Sequence, residues 1–313
     1  MDGAHPPRGG CYAAAMRFTR LCVLVGLGLG ACGGGDDAGT PPDGGGDAAG
    51  ATVDAAPTVD AAPTGGCGTP RPTGVQNGTI TVAGTPRTYV LSVPAGYDPA
   101  RPTPLIFAWH GRTGIAAGAR SYFGIETASG GAAIVAYPQG LPVTADPNDT
   151  GWELTASGRD LAFYDALSAE LRATYCVGSA YSMGHSFGGY MSNAVACFRG
   201  GTAPGEIRAI APVAGGGPFG ACPGEPVSAT VIHGSNDTVV PIAQGEGSRD
   251  HWRAAAGCAA TSTPIAPAPC VAYDGCAGGR TVRWCQHADT QFSGHGWPSF
   301  AASAAWALFQ ATP

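Results

Sequence analysis

From residue 79 onward, short apolar runs alternate with longer stretches in which apolar side chains recur every third or fourth position. Leu105-Ile106-Phe107-Ala108-Trp109 has no polar interruption, as expected of a strand covered on both faces in a parallel sheet. Ala132 to Tyr137, Val177 to Met183, Ile207 to Val213 and Ala229 to His233 read as further buried strands, and Thr281 to Gln286 as the last strand. Thr79 to Val82 and Thr88 to Val93, joined through Gly84, form a predicted antiparallel hairpin at the start of the sheet. Gly158 to Ala173 puts Leu161, Phe163, Tyr164, Leu167 and Leu171 on one helical face, and Gly189 to Phe198 does the same with Tyr190, Met191, Ala194, Val195 and Phe198. Strands alternating with helices predict an α/β fold, a mainly parallel sheet flanked by helices, with ligands gathering at the carboxyl ends of the strands.

The first 66 residues follow another pattern. Met16-Arg17-Phe18-Thr19-Arg20 and the apolar run Leu21 to Ala31 have the charged and hydrophobic regions of a secretory signal, and the run is too short to span a bilayer. Met1 to Ala15 has no signal character, which leaves Met16 as a second candidate start. Leu29-Gly30-Ala31-Cys32 resembles the lipobox of bacterial lipoproteins, which makes Cys32 a candidate lipidation site and the N-terminal lipid the expected membrane contact. An ordinary signal with a chance cysteine is the alternative. Gly33 rather than Asp after Cys32 resembles the sorting pattern of outer-membrane lipoproteins, so the expected location is the outer membrane or the extracellular medium. Residues 32–66, with Thr52-Val53-Asp54-Ala55-Ala56-Pro57 repeated at once, hold too few large apolar side chains to offset ordering entropy and read as a tether. The division expected is a signal region at 1–31, the lipidated cysteine and linker at 32–66, and a catalytic domain at 67–313.

Composition narrows the function classes. A chain of 313 residues with 44% hydrophobic and 12% charged positions can bury a sizeable core. Its net charge of −6 and lack of a basic cluster argue against a nucleic-acid partner. Of eleven cysteines, Cys67, Cys176, Cys197, Cys222, Cys258, Cys270, Cys276 and Cys285 fall in the expected catalytic domain, an even number that permits up to four disulfides after export. The crowding of Cys258, Cys270, Cys276 and Cys285 predicts two local bridges there. No Cys-x-x-Cys or histidine cluster has zinc spacing, so no metal or cofactor is expected.

The candidate chemistry centres on Gly184-His185-Ser186-Phe187-Gly188. Gly-x-Ser-x-Gly between a buried strand and a helix describes a sharp turn that presents the serine as a nucleophile. Many such matches arise by chance in a glycine-rich chain, and a serine that merely caps the helix would read the same. Two later strand ends decide between these. His233-Gly234-Ser235-Asn236-Asp237 places Asp237 beyond one strand, and Gly294-His295-Gly296-Trp297-Pro298 places His295 beyond the last. The order Ser186, Asp237, His295 is the triad order of α/β-hydrolases. His295 would take the serine proton and return it to the leaving alcohol, with Asp237 holding the imidazole tautomer.

Together with His110-Gly111-Arg112-Thr113-Gly114 and Tyr137-Pro138-Gln139-Gly140, these motifs resemble those of secreted esterases, the group of feruloyl esterases, acetyl xylan esterases and polyhydroxybutyrate depolymerases. The resemblance covers Cys67 to the C-terminus and implies a disulfide-stabilised α/β-hydrolase fold. It also implies an oxyanion hole built from backbone N–H groups after the nucleophile and after the His-Gly motif, here Phe187 and either Arg112 or Thr113, with Arg112 preferred. Family members often carry an acidic pair where this chain has Arg159-Asp160. Among the other histidines, His110 reads as a turn residue, His185 as packing or substrate wall, His233 as a residue orienting the acid loop, and His251 and His287 as surface positions. Trp152, in an irregular polar loop, is the candidate wall of an aromatic acyl pocket.

Three functions follow from these residues. The first is an exported, monomeric serine esterase, a feruloyl esterase acting on plant polysaccharide esters as in xylan degradation. The second keeps the ester chemistry but takes polyhydroxybutyrate, or acetylated xylan, as substrate. A lipid-anchored binding protein on a hydrolase scaffold is the third, and the complete set of triad residues argues against it. With no polymer-binding module apparent in the chain, soluble feruloylated fragments are expected to be better substrates than solid polyester.

Overall fold

In the computed structural model, residues 65–313 are described; the signal, lipidation and most of the tether expectations lie outside them. A ten-stranded mixed sheet runs through the described residues. It opens with the antiparallel hairpin β1 (Gly74–Val82) and β2 (Thr85–Val93), turned through Ala83 and Gly84, both at positive φ. Six strands then run parallel: β4 (Ile134–Pro138), β3 (Thr103–Trp109), β7 (Val177–His185), β8 (Ile207–Val213), β9 (Ser228–Gly234) and β12 (Val282–His287), side by side in that order. Antiparallel β11 (Cys270–Tyr273) and β10 (Ser262–Pro264) complete the far edge. A separate two-stranded ribbon, β5 (Leu141–Pro142) and β6 (Thr150–Gly151), stands beyond the end of β4.

The uninterrupted apolar runs are explained by two cores, one on each face. Along β3, Leu105, Phe107 and Trp109 point into one, and Ile106 and Ala108 into the other, as the two-residue period of a strand requires. The first core is closed by α3 (Arg159–Thr174), α4 (Phe187–Arg199) and α5 (Ile242–Ala255), through residues such as Phe163, Leu167, Met191, Val195 and Trp252. On the opposite face, α1 (Ala116–Phe123), α2 (Ile125–Ala128) and α6 (Ala301–Gln310) contribute Phe123, Ile125, Trp306, Leu308 and Phe309. Each side chain of this kind taken fully out of water contributes about 1.5–3 kcal/mol before the entropy of ordering is charged. The amphipathic stripe of α3 is the expected one, and Asp160 in its first turn and Arg172 in its last suit the helix dipole.

All eight cysteines from Cys67 onward are paired: Cys67–Cys176, Cys197–Cys222, Cys258–Cys276 and Cys270–Cys285. The last two are the local bridges that the crowding predicted. Cys270 and Cys285 are register partners on β11 and β12, so that bridge staples the antiparallel edge to the parallel sheet. Among the described residues no helix is long and apolar enough to cross a membrane.

Candidate active site

Four strand ends converge on one edge of the sheet, and each supplies part of the site. After β7 the chain turns at Ser186, whose φ of 56° and ψ of −120° lie outside the regions that L-residues ordinarily occupy. Such strain persists only where the surroundings impose it. Here they do: Ser186 N–H donates to Val213 O at 2.9 Å, while Ser186 O accepts from Gly189 and Tyr190 N–H at 2.8 and 3.1 Å. Both motif glycines are required for space. A Cβ on Gly188 would stand 1.9 Å from Trp109 O, and one on Gly184 would stand 2.4 Å from Gly188 O. The serine side chain forms no capping bond to α4, so the reading of Ser186 as a helix cap fails.

Beyond β9, Asp237 is buried and fully bonded. Its Oδ1 accepts the N–H groups of Val239 and Val240, both at 2.8 Å, and its Oδ2 lies 2.7 Å from His295 Nδ1. That contact fixes the neutral imidazole with its proton on Nδ1. His295 Nε2 is buried and has no hydrogen-bond partner among the described residues. The His295 loop reaches this place through three consecutive left-handed residues, Phe292, Ser293 and Gly294, with Gly294 packed so closely on Asn236 that a Cβ would stand 2.6 Å from its carbonyl. The structure therefore gathers Asp237 and His295 into one pair. His185, next to Ser186, donates from Nε2 to His295 O at 2.7 Å, so the serine turn and the histidine loop are directly bonded. Burial lowers the His185 pKa to about 4, with the neighbouring His295 adding to the effect, so His185 is neutral and Nε2 carries the proton.

The loop after β3 provides the third part. Thr113 N–H donates to Thr150 O at 2.8 Å and is spent. Among the described residues Arg112 N–H meets no acceptor, and Phe187, as the first residue of α4, carries one of the helix's unpaired N–H groups. A Cβ on Gly111 would lie 3.9 Å from Ser186 Oγ, which puts this loop directly over the serine. The Arg112 guanidinium is anchored elsewhere: Nε and Nη2 each donate to the Asp149 carboxylate at 2.6 Å and, with Thr144, lower its pKa to about 2. His110 holds the loop from below, donating from Nδ1 to Gly111 O at 2.7 Å and accepting Gly140 N–H on Nε2 at 2.9 Å. With both nitrogens used and burial lowering its pKa, His110 is a neutral structural residue.

Trp152 departs from expectation. It is 2% exposed, donates from Nε1 to His110 O at 2.8 Å and packs edge-on against Trp109 at 5.0 Å, so it supports the loop after β3 from the core and cannot be a substrate wall. His287, expected at the surface, is buried, its Nδ1 accepting Asp289 N–H. His233 donates from Nε2 to Val240 O at 2.9 Å and lies 3.5 Å from Asp237 Oδ2, inside the acid loop.

Two supports escaped the sequence reading. Asn193 in α4 donates to Gly189 O and Gly216 O and accepts from Ser248 Oγ and Trp252 Nε1, tying the serine helix to α5. A polar residue in a helix interior among apolar neighbours was the available signal. Arg87 and Asp160 form a buried ion pair at 2.5 Å; Arg87 also donates to Gln139 O, and Asp160 accepts Glu153 N–H. Through Gln139-Gly140 this pair reaches His110, which accounts for a carboxylate at the start of α3. No three His, Cys, Asp or Glu side chains are grouped to hold a metal among the described residues.

With this geometry in hand, comparison with known proteins gives a consistent picture. No family model matches the chain. Feruloyl esterase C of Emericella nidulans is 38% identical over 187 residues, 56% of this chain, and feruloyl esterase D of Neurospora crassa is 29% identical over 243 residues, covering 71% of this chain and 80% of that one. The chain spans 63% of the length of the first of these relatives. Among solved structures, an acetyl xylan esterase from Aspergillus awamori superposes with a TM-score of 0.50 at 16% identity, over 71% of this chain and 95% of that one. A thermostable esterase superposes at 0.51 and 18% identity, over 74% of this chain and 58% of that one. This is the α/β-hydrolase fold. Its serine turn, acid loop and histidine loop fall at the strand ends described above.

Proposed function

We propose that the chain is a serine carboxylic-ester hydrolase, a feruloyl esterase that releases hydroxycinnamic acid from plant polysaccharide esters. The observation that carries the reading is the state of His295: Nδ1 held by a buried Asp237 at 2.7 Å, Nε2 buried and without a partner among the described residues, on a loop hydrogen-bonded to His185, the residue before Ser186 on its strained turn. Similarity to feruloyl esterases supports the substrate class. In this reading Ser186 Oγ attacks the ester carbonyl as His295 Nε2 takes its proton. The carbonyl oxygen, now negative, is stabilised by the N–H groups of Phe187 and Arg112; losing one such donor typically slows the reaction by about 100- to 1000-fold. Collapse of the intermediate breaks the bond to the alcohol oxygen, which leaves with the proton from His295. Water, deprotonated by the same nitrogen, then frees the acid from the acyl-serine. The four disulfides fit folding in an oxidising compartment, and the lipobox-like stretch before Cys32 supports export and anchoring through that residue.

The test compares wild type and Ser186→Ala on methyl ferulate, acetylated xylan and a polyhydroxybutyrate suspension. Ferulate release by wild type alone is expected. Equal, slow release by both proteins would leave a binding protein on a hydrolase scaffold, and clearing of the polyester without ferulate release would transfer the assignment to a depolymerase.

A further inference from the structure

Helix α1 follows the oxyanion loop at once, and between them lies an open cleft of about 440 Å³, within the range of small-molecule sites. Its inner end adjoins Ser186, since Gly111, which packs on that serine, and His185, which precedes it in the chain, both line it. Its floor is a stripe made by Ile115, the extended residue that caps the N-terminus of α1, and by Gly118, Ala119 and Tyr122 of the helix itself. The stripe is large, small, small, large. Ile115 and Tyr122 are 57% and 41% exposed, among the few large apolar side chains that the described residues leave uncovered.

Gly118 is not demanded by the protein's own packing. A Cβ there would meet only Ile115 Cγ1, at 3.3 Å, and glycine weakens a helix relative to alanine. A missing side chain that no protein atom displaces leaves room for a ligand. Tyr122 is fixed at the outer end, its Oη accepting Trp297 N–H at 2.9 Å, and its own hydroxyl hydrogen stays available to a ligand. Trp297 is two residues from His295, so the same bond ties the slot to the histidine loop.

We propose that this cleft is the acyl slot of the esterase: the flat ring of an aromatic acid lies over Gly118 and Ala119 between Ile115 and Tyr122, with its phenolic edge toward Tyr122 Oη. The proposal rests on the feruloyl esterase reading and assigns its selectivity to Gly118 and Tyr122. A second apolar cleft near the site, lined by Leu154, Tyr190, Phe198 and Phe219, has only about 30 Å³ of free room, enough for water but not for a ring.

Gly118→Leu fills the slot while improving helix propensity, so it separates loss of room from loss of fold. The ratio of kcat/KM for methyl ferulate to that for p-nitrophenyl acetate is expected to fall at least about tenfold in Gly118→Leu, with Tm not lowered. Tyr122→Phe, which keeps the ring and removes the hydroxyl, is expected to raise KM for methyl ferulate more than for methyl cinnamate. An unchanged ratio in Gly118→Leu, or an equal fall on both esters, overturns the slot while leaving the esterase intact. So does a ratio that falls in Phe219→Ala and not in Gly118→Leu, since the ring would then occupy the other cleft. Wild type that hydrolyses the acetate but releases no ferulate overturns the feruloyl reading, and the slot with it.

Discussion

Asp237 spends every lone-pair direction that the structure reveals: two backbone N–H groups on Oδ1, His295 on Oδ2, and His233 at the edge of reach. A group so placed orients its partner. Asp237→Asn keeps the size but can present an N–H to His295 Nδ1, which forces the proton onto Nε2 and removes the acceptor that Ser186 needs in the proposed mechanism. Turnover should slow by about 10⁴-fold with KM little changed, as when the acid of a serine triad is made neutral. A steady-state comparison at neutral pH checks this, and a tenfold loss or less would mean that Asp237 is not the orienting acid. Trp152 calls for the opposite kind of test. Because it is buried beneath His110, Trp152→Phe should lower stability by about 1 kcal/mol through the lost Nε1–H bond, and change kcat/KM for ferulate and acetate esters by the same factor. A shift in the ratio between those esters would restore it as a substrate wall.

The Gly-x-Ser-x-Gly turn works as an element because strand, turn and helix press against β3 with no spare volume. Gly188→Ala would improve α4 as an isolated helix, yet its Cβ would meet Trp109 O at 1.9 Å and His110 O at 2.8 Å. Both oxygens belong to the backbone from which the loop after β3 springs, so relief must come from moving α4 away from β3. A stability loss of at least about 1–3 kcal/mol, the usual cost of overpacking, should accompany a drop in turnover by a factor of about 100 or more. Thermal melts and ester hydrolysis measure both, and wild-type values in either would refute the close-packing account. The same elements show what was legible beforehand. β3, β4, β7, β8 and β9 were readable because strands buried on both faces leave apolar runs, and β1 was read short because its outer half, with Val75, Gln76 and Asn77, pairs at an exposed edge. β10 and β11 gave no signal, since Ser262–Pro264 is wholly exposed and β11 is four residues long with only Cys270 fully buried. Helix α5 was hidden for a related reason: Gly245, Ser248 and Trp252 are its buried residues, and two of them carry no apolar side chain. In the site, the pairing of Asp237 with His295 was legible because the motifs put both residues just beyond strand ends. The inward turn of Trp152 and His287 was not, because a loop residue's direction depends on contacts distant in sequence.

Across the whole molecule, neutral histidines packed between the strand ends couple the site to stability. His110, His185, His233 and His287 all have pKa values lowered, in each case chiefly by burial. Opposing charges do not reverse this, although Asp160, Asp237 and Asp289 lie near enough to favour the protonated forms. In the unfolded chain these side chains titrate near a pKa of about 6.5. As pH falls below that value the unfolded state takes up protons first, so the stability these groups contribute is complete above about pH 6.5 and is lost on the way down to each folded pKa. For His185 the window runs from about 6.5 to about 4, worth up to about 3 kcal/mol, less in so far as its partly exposed edge stays hydrated. The carboxylates act lower: Asp149, held near 2 by Arg112 and Thr144, loses its contribution only as pH drops below the ordinary carboxylate range. Tm should therefore fall between about pH 7 and pH 4.5, before the carboxylates titrate, by about 2–4 °C for each kcal/mol lost. His185→Gln removes the largest of these contributions while keeping a side-chain N–H for His295 O. It should be less stable than wild type at neutral pH, yet lose less of its Tm over the same acid range. Melting curves of the two proteins across that range decide the point: parallel slopes would show that His185 is not the group that takes up the proton.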